Sequence, residues 1–188
     1  MTETQIFEPD ARAIPYAVEG NGPTVVLIAG RDLAIDYLGT LAHLLAEEDF
    51  RVLRIASSGT WSQTLDVHGL ASGVIDVMDA VGVTDAWLGG HAFGGSIARA
   101  VALDHHDRVN GVLLLGVESG DLTLAEGLPV LVIQGSADDI TPPANGEALQ
   151  ASAPDRVSLV SIDGGGHMFV SENVGATSWA IEDYLDWD

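Results

Sequence analysis

The sequence predicts an α/β fold, a three-layer α/β/α sandwich around a mostly parallel, twisted β-sheet. Short apolar runs of strand length alternate with segments of helical periodicity along the 188 residues. The runs are continuous rather than alternating, which is typical of strands covered by helices on both faces. We find no internal repeat or long linker, and a chain of this length can bury one core, so we expect a single domain over residues 1–188.

The strand prediction depends on short apolar runs rich in β-branched residues, such as the run that ends at Gly30. Runs of this kind lie at 24–29, 51–56, 85–90, 109–116, 129–134 and 157–162. Residues 4–18 are expected to supply one or two antiparallel strands. Because ligands of parallel sheets bind at the carboxyl ends of the strands, we expect functional residues there.

The helix prediction depends on apolar residues at helical spacing between the strands. Helices are predicted at 36–48, 66–81, 94–104, 143–152 and 174–186. In the segment 66–81 the apolar residues form one stripe while the aspartates lie elsewhere, which indicates a helix with one face in the core. The members of this stripe are Val67, Leu70, Ala71, Val74, Ile75, Met78 and Val81.

The composition is strongly acidic: all seven basic residues are arginine, and 28 carboxylates give a net charge of −21. Such a chain should repel phosphate backbones and anionic lipid, so we expect no nucleic-acid partner. No stretch approaches the length of a membrane span, and the first residues lack the pattern of a secretory signal, so we expect a cytoplasmic protein without membrane attachment. The acidity fits either a highly soluble surface or adaptation to salt.

A glycine-rich turn follows the strand predicted at 85–90 and leads directly into a predicted helix. A tight strand-to-helix turn lifts one side chain clear of the sheet and requires small residues two positions before and two after it. Gly90 and Gly94 meet this requirement around Ala92. A turn that only packs a helix on a strand would use the same glycines, so the segment alone leaves both interpretations open.

The nine residues Gly-His-Ala-Phe-Gly-Gly-Ser-Ile-Ala, 90–98, resemble the G-H-S-x-G-G-x-x-A elbow of the α/β-hydrolase superfamily. The resemblance extends from about residue 13 to the end of the chain. It implies the α/β-hydrolase fold, with Ala92 at the position of the nucleophilic serine. Alanine has no atom able to attack a carbonyl, and Ser96 lies one helical turn farther on, so the resemblance implies an inactivated serine hydrolase.

Two further loops resemble the family's acid and base loops. The segment from Gly135 to Pro142 resembles G-x-x-D-x-x-x-P, which implies that Asp138 is the catalytic acid, with Asp139 as the alternative. The segment Gly-Gly-Gly-His that ends at His167 resembles the loop that bears the catalytic histidine. The chain order of nucleophile position, acid and base is also the family's order.

The resemblance places the oxyanion donors at the backbone N–H groups of Arg31 and Phe93. For the Arg31 side chain we favour an ion pair with Asp32 over a contact with a substrate carboxylate. Only about a dozen residues, 117–128, separate two strands where many relatives insert a lid, so we expect no lid domain and a shallow, open pocket. Candidate substrate contacts are Leu33, Trp61, His91, Met168 and Phe169, together with Phe93 as a pocket wall.

Three functions remain open. The favoured one is a small serine hydrolase acting on an ester, lactone or thioester, with its nucleophile exchanged for Ala92, because one exchange then accounts for the whole pattern. The others are a natural pseudoenzyme that binds a small molecule, and a non-covalent lyase or cyclase with His167 as general base.

The sequence lacks metal-ligand spacing, a phosphate loop with lysine and a dinucleotide fingerprint, so no cofactor or metal is expected. A homodimer would be one way to cover an open pocket.

Overall fold

An eight-stranded β-sheet forms the centre of the computed structural model, which describes residues 2–8, 13–57 and 65–186. The strands lie in the order β1-β2-β4-β3-β5-β6-β7-β8. Pairs β1·β2 and β2·β4 are antiparallel, and every other neighbouring pair is parallel. The strands are β1 Gln5–Phe7, β2 Ile14–Glu19, β3 Thr24–Ile28, β4 Arg51–Ile55, β5 Ala86–His91, β6 Val109–Leu115, β7 Val130–Gly135 and β8 Val157–Ile162.

Helices cover both faces of this sheet. They are α1 Gly39–Glu47, α2 Val67–Ala80, α3 Phe93–Asp104, α4 Pro143–Ser152, α5 Phe169–Glu172 and α6 Val174–Leu185, with 3₁₀ turns at Ile35–Leu38 and His106–Arg108. The helix predicted at 36–48 is divided into a 3₁₀ turn and α1, and α5 was not predicted. At the start of α2, the Asp66 side chain accepts a hydrogen bond from the Gly69 N–H and caps the helix.

Successive side chains of the central strands enter two different cores. In β3, Val26 points into a cluster that contains the apolar residues of α2 and α3, whereas Val25 and Leu27 point into a cluster with those of α1, α5 and α6. The continuous apolar runs therefore reflect a sheet that is buried on both faces. The α/β fold with a mostly parallel sheet is confirmed.

The segment 116–129 between β6 and β7 contains no helix or strand, and the described residues include no lid domain. Side chains from other elements hold its backbone carbonyls: Asn145 binds the Val117 carbonyl at 2.8 Å, and Arg156 binds the Leu128 carbonyl at 2.9 Å. The Arg99 guanidinium binds a third carbonyl, that of Leu122. The short connection is therefore tied to the body of the fold. Among the described residues, no helix is long and apolar enough to cross a membrane.

Candidate active site

The turn between β5 and α3 holds residue 92 in a backbone conformation that L-residues rarely adopt. Ala92 has φ 52° and ψ −114°, and its N–H donates to the Leu115 carbonyl at 2.9 Å. A Cβ built on Gly90 would overlap the Gly94 carbonyl, and one built on Gly94 would overlap the Ile28 carbonyl. The two glycines thus allow α3 to begin against the ends of β3 and β5, and the Ala92 methyl stands at that junction.

The acid and base loops meet at the carboxyl ends of β7 and β8. A Cβ on Gly135 would overlap the Gly165 carbonyl, and the Ala137 N–H donates to that carbonyl at 2.9 Å, so the two loops touch backbone to backbone. Across this contact the His167 Nδ1 lies 3.0 Å from Asp138 Oδ2 and 3.2 Å from Oδ1. The two loops, 29 positions apart in the chain, therefore bring a carboxylate and an imidazole into hydrogen-bond contact.

The Asp138 carboxylate is fully enclosed and well supplied with donors. Its Oδ1 accepts hydrogen bonds from the N–H groups of Ile140 and Thr141, each at 2.9 Å, and its Oδ2 accepts one from the Thr141 hydroxyl at 2.6 Å. Burial alone would raise the pKa of this carboxyl, but the donors on Thr141, Ile140 and His167 outweigh it and hold the pKa below its ordinary value. Asp138 is thus an anion and can only accept hydrogen bonds. The His167 Nδ1 must therefore carry a proton to bond to it.

The other ring nitrogen of His167 is open. The Nε2 atom forms no hydrogen bond with a described residue, and it is accessible to solvent. With the proton fixed on Nδ1, a neutral His167 presents the lone pair of Nε2 outward. The arrangement can accept a proton from a hydroxyl group or water that approaches this nitrogen.

His91, the last residue of β5, is 0% exposed and bridges three loops. Its Nε2 lies 2.9 Å from the His167 carbonyl oxygen, and its Nδ1 lies 2.9 Å from the Tyr37 hydroxyl. The Tyr37 oxygen in turn accepts a hydrogen bond from the Gly30 N–H at 2.8 Å. Burial, followed by the neighbouring His167 imidazole, lowers the pKa of His91 to about 4. Burial also raises the pKa of Tyr37 to about 12, so both groups are neutral near neutral pH.

The loop after β3 carries the candidate oxyanion donors. The Ser57 hydroxyl donates to the Gly30 carbonyl at 2.9 Å, and Asp32 takes φ 59°, which turns the chain sharply. Within the described part of the chain, neither the Arg31 N–H nor the Phe93 N–H donates to another group. Phe93 is the first residue of α3, where an N–H has no partner within the helix and the helix dipole favours negative charge.

The Arg31 side chain departs from the prediction. Its guanidinium carbon lies 3.6 Å from the centre of the Phe93 ring, and no ion pair with Asp32 forms among the described residues. A cation over an aromatic face is attracted by the ring's negative face, and here that contact joins the two loops of the candidate oxyanion site. The predicted Arg31–Asp32 ion pair is therefore wrong.

The predicted substrate contacts fall into three groups. Leu33 and Met168 are half-buried, so their side chains are partly open to solvent. Phe169 is 0% exposed and belongs to the core beneath α1 and α6, and His91 is equally enclosed, so neither forms a pocket wall. Trp61 lies outside the described residues.

The cavities do not single out the elbow. The crevice that Ala92, Ser96 and Arg99 line along α3 is too narrow to admit a water molecule. Two larger cavities, of about 590 and 610 Å³, lie beside Trp179 of α6 and between the 117–124 segment and α4. Neither of them is lined by Ala92, Asp138 or His167, so cavity volume does not identify the site. The convergence of the Asp138 and His167 side chains identifies it instead. Among the described residues, no group of three or more metal-binding side chains occurs.

Sequence reasoning missed three supporting residues. The loop of Thr141 carries a detectable signal, because an aspartate in a turn often accepts a hydrogen bond from the N–H two residues on, as Asp138 does from Ile140. Tyr37 and Ser57 give no such signal, since their partners lie on the loop after β3 and on β5, and only the fold brings them together.

An eight-stranded sheet of this order, a strained turn after β5 and a carboxylate–imidazole pair after β7 and β8 are together the features of the α/β-hydrolase fold. The chain belongs to the alpha/beta hydrolase family, whose model matches residues 24–173.

Individual relatives agree with this membership. Over 113 residues the chain is 39% identical to 2-hydroxymuconate semialdehyde hydrolase of a Pseudomonas species, a match that covers 59% of this chain and 38% of that enzyme. The chain spans well under half the length of the curated relatives it matches.

Solved structures show the same fold across the whole chain. A thermophilic esterase from Thermogutta terrifontis, solved with malate bound, has a TM-score of 0.81 at 20% identity and covers 99% of this chain and 98% of its own. A meta-cleavage product hydrolase from Pseudomonas fluorescens, solved as a serine-to-alanine mutant with acetates, has a TM-score of 0.82 at 17% identity and covers 98% of this chain and 97% of its own. At these identities the likeness shows the fold alone.

Proposed function

We propose that the chain carries the site of a small serine hydrolase that cleaves an ester, lactone or thioester, and that Ala92 occupies the nucleophile position and leaves this form inactive. The observation that supports the proposal is the Asp138–His167 pair with a free Nε2, in which the His167 loop contacts the elbow at His91. A buried carboxylate that orients an imidazole has a clear use in acyl transfer. The family membership agrees with a hydrolase but leaves the bond that is cleaved open.

The reaction follows from these groups once position 92 bears a hydroxyl. The His167 Nε2 would accept the hydroxyl proton while the oxygen attacks the substrate carbonyl carbon, and Asp138 would stabilise the imidazolium. The negative carbonyl oxygen would receive hydrogen bonds from the N–H groups of Arg31 and Phe93. His167 would then return the proton to the leaving alcohol or thiol, and water activated by the same nitrogen would release the acid.

Ser96 does not replace the missing nucleophile. It lies one helical turn beyond Ala92 on α3, and its hydroxyl donates to the Glu118 carboxylate at 3.1 Å. Among the described residues this hydroxyl forms no hydrogen bond with the His167 imidazole, the base of the candidate site.

The test is to restore the hydroxyl with Ala92→Ser and to compare hydrolysis of short-chain nitrophenyl esters with the parent chain. We expect kcat/KM to rise by about 10³-fold or more, since loss of a triad serine costs at least that much. Adding His167→Gln to Ala92→Ser should abolish the gain, whereas adding Ser96→Ala should leave it. A correctly folded Ala92→Ser protein that neither hydrolyses these esters nor reacts with a fluorophosphonate would disprove the serine-hydrolase proposal.

One observation favours a second candidate, a non-covalent lyase or cyclase. The Nε2 of His167 is oriented and free although residue 92 has no nucleophile, and a general base of this kind needs no partner hydroxyl to remove a proton from a substrate. Turnover of a small substrate by the parent chain, abolished by His167→Gln, would support this reaction. If parent and Ala92→Ser chains both bind a ligand without turnover, a pseudoenzyme that binds a small molecule is the remaining function.

A further inference from the structure

Three loops of the candidate site are joined by one continuous chain of hydrogen bonds. It runs from the Gly30 N–H to the Tyr37 oxygen at 2.8 Å, from the Tyr37 hydroxyl to His91 Nδ1 at 2.9 Å, and from His91 Nε2 to the His167 carbonyl at 2.9 Å. Gly30 precedes the candidate oxyanion donor Arg31, His91 precedes the nucleophile position, and His167 is the candidate base. Each bond therefore involves Gly30 or His91, which adjoin a candidate reacting group, or His167, which is the candidate base.

The direction of every bond in the chain is determined by its ends. The Gly30 N–H can only donate and the His167 carbonyl can only accept. The carbonyl therefore requires the proton of a neutral His91 to lie on Nε2, which leaves Nδ1 as an acceptor. The Tyr37 hydroxyl must then donate to Nδ1 while its oxygen accepts from Gly30. One tautomer of His91 and one rotamer of the Tyr37 hydroxyl satisfy all four groups.

The His91 ring also supports the His167 ring directly. The two ring centres are 4.7 Å apart, with an angle of 36° between the planes, and the Phe169 ring meets His91 edge-on from 6.1 Å. His91 thus holds the backbone of His167 through its carbonyl and limits the rotation of the imidazole by packing. The side chain that carries the Nε2 lone pair is fixed from both ends, by His91 and by Asp138.

We propose that Tyr37 and His91 are positioning residues of this site: His91, held as the Nε2-protonated tautomer between the His167 carbonyl and the Tyr37 hydroxyl, keeps His167 and the Gly30–Arg31 loop in the geometry that acyl transfer needs. The kinetic part of this proposal rests on the serine-hydrolase function proposed above. The geometric part concerns the chain with Ala92 and does not depend on turnover.

The first experiment is nitrogen-15 NMR of the histidine rings in the parent chain near neutral pH, compared with Tyr37→Phe and with a matched control, Tyr16→Phe. Tyr16 is a suitable control because its hydroxyl bonds to Gln5 at the outer edge of the sheet. In the parent we expect His91 to show a single Nε2–H tautomer and His167 to show a low-field Nδ1 proton.

In Tyr37→Phe we expect His91 to keep the Nε2–H tautomer, because the His167 carbonyl still requires it. Its Nδ1 resonance should shift on losing the hydrogen bond from Tyr37, and the His167 Nδ1 proton should broaden or disappear. In Tyr16→Phe both sets of signals should match the parent. An Nδ1–H tautomer of His91 in the parent, or unchanged His91 and His167 signals in Tyr37→Phe, would overturn the proposal whether or not any ester is hydrolysed.

The second experiment places Tyr37→Phe and Tyr16→Phe in the Ala92→Ser background. A misplaced base slows the chemical step without removing a substrate contact, so Tyr37→Phe should lower kcat by about 10²-fold with KM unchanged, and Tyr16→Phe should change neither. An unchanged kcat in Tyr37→Phe would show that the pair does not position the base. If Ala92→Ser itself is inactive, the serine-hydrolase proposal fails, and the NMR result still decides the roles of Tyr37 and His91.

Discussion

Ala92 and Asp32 are two of three non-glycine residues with positive φ among the described residues, and both adjoin the candidate site. A left-handed conformation costs an L-residue roughly 1–2 kcal/mol, so the fold must compensate for it at both positions. At Ala92 this cost is offset by the hydrogen bond from its N–H to the Leu115 carbonyl and by the start of α3 at the next residue. Strain of this kind concentrates where a side chain is held for function, which agrees with a functional role for position 92.

His91 gives a pH-dependent prediction at the scale of a single residue. Its pKa is about 4 in the folded protein and near 6.5 in the unfolded chain, so between these values the unfolded state binds one more proton. The free energy of unfolding should therefore fall as the pH drops from 6.5 to 4, by up to about 3 kcal/mol from this residue alone. The titratable groups that face His91 are Tyr37, His167 and, at longer range, Asp138.

Urea unfolding of the parent, His91→Gln and His105→Gln at several pH values in this window measures the effect. Glutamine keeps an N–H near the position of His91 Nε2 but cannot be protonated, so His91→Gln should lose less stability on acidification than the parent. His105→Gln, at the C-terminal end of α3, serves as the control for the exchange of a histidine for glutamine. Equal slopes for the parent and His91→Gln would show that His91 is not kept neutral by the fold.

At the scale of elements, the crossing of β5 and α3 depends on the absence of a side chain at Gly90. A Cβ there would overlap the Gly94 carbonyl, which is backbone and cannot rotate away. We expect Gly90→Ala to lower the free energy of unfolding by about 3 kcal/mol or more, because overpacking and a backbone shift add together. Gly175→Ala in α6 is the matched control: its Cβ meets nothing within 4 Å, and alanine favours the helix by up to about 1 kcal/mol. Chemical denaturation of both variants measures the difference, and equal stability would exclude the close approach.

The elements were predictable where a local pattern decides them. The sequence located β8 and α4 at the bounds that the structure has, because apolar periodicity and turn residues are local signals. The pairing of Asp138 with His167 came from the family resemblance of their loops, and the structure brings the two side chains into contact. Helix α5 has four residues, too few to show a period. The sequence predicts Phe169 as a pocket wall, because an apolar residue after a site loop has the same pattern whether it faces the core or solvent. The partners of Arg31 and His91 come from distant segments, so no local signal reveals them.

At the scale of the whole molecule, electrostatic repulsion opposes the compact state. The net charge is −21, and within the described residues only Arg108, which binds Asp79 at 2.8 Å, pairs an arginine with a carboxylate. Other arginines bind backbone carbonyls instead, as Arg54 and Arg156 do. Most carboxylates therefore repel one another across the surface, and salt should screen this repulsion and stabilise the fold.

The end of α1 is where this repulsion should be easiest to relieve. Glu48 caps the helix and the exposed Asp49 follows it, so two carboxylates adjoin the negative end of the helix dipole and no basic residue lies in the last turn. We expect Glu48→Gln with Asp49→Asn to raise the free energy of unfolding at low salt by about 1 kcal/mol, and asparagine also tolerates the φ of 64° at position 49.

Thermal unfolding from low to molar sodium chloride should show a rising midpoint for the parent and a smaller rise for the double variant. Asp121→Asn, on an exposed loop away from a helix end, should follow the parent closely. A parent midpoint that does not respond to salt would show that charge repulsion contributes little, and the acidic surface would then serve solubility alone.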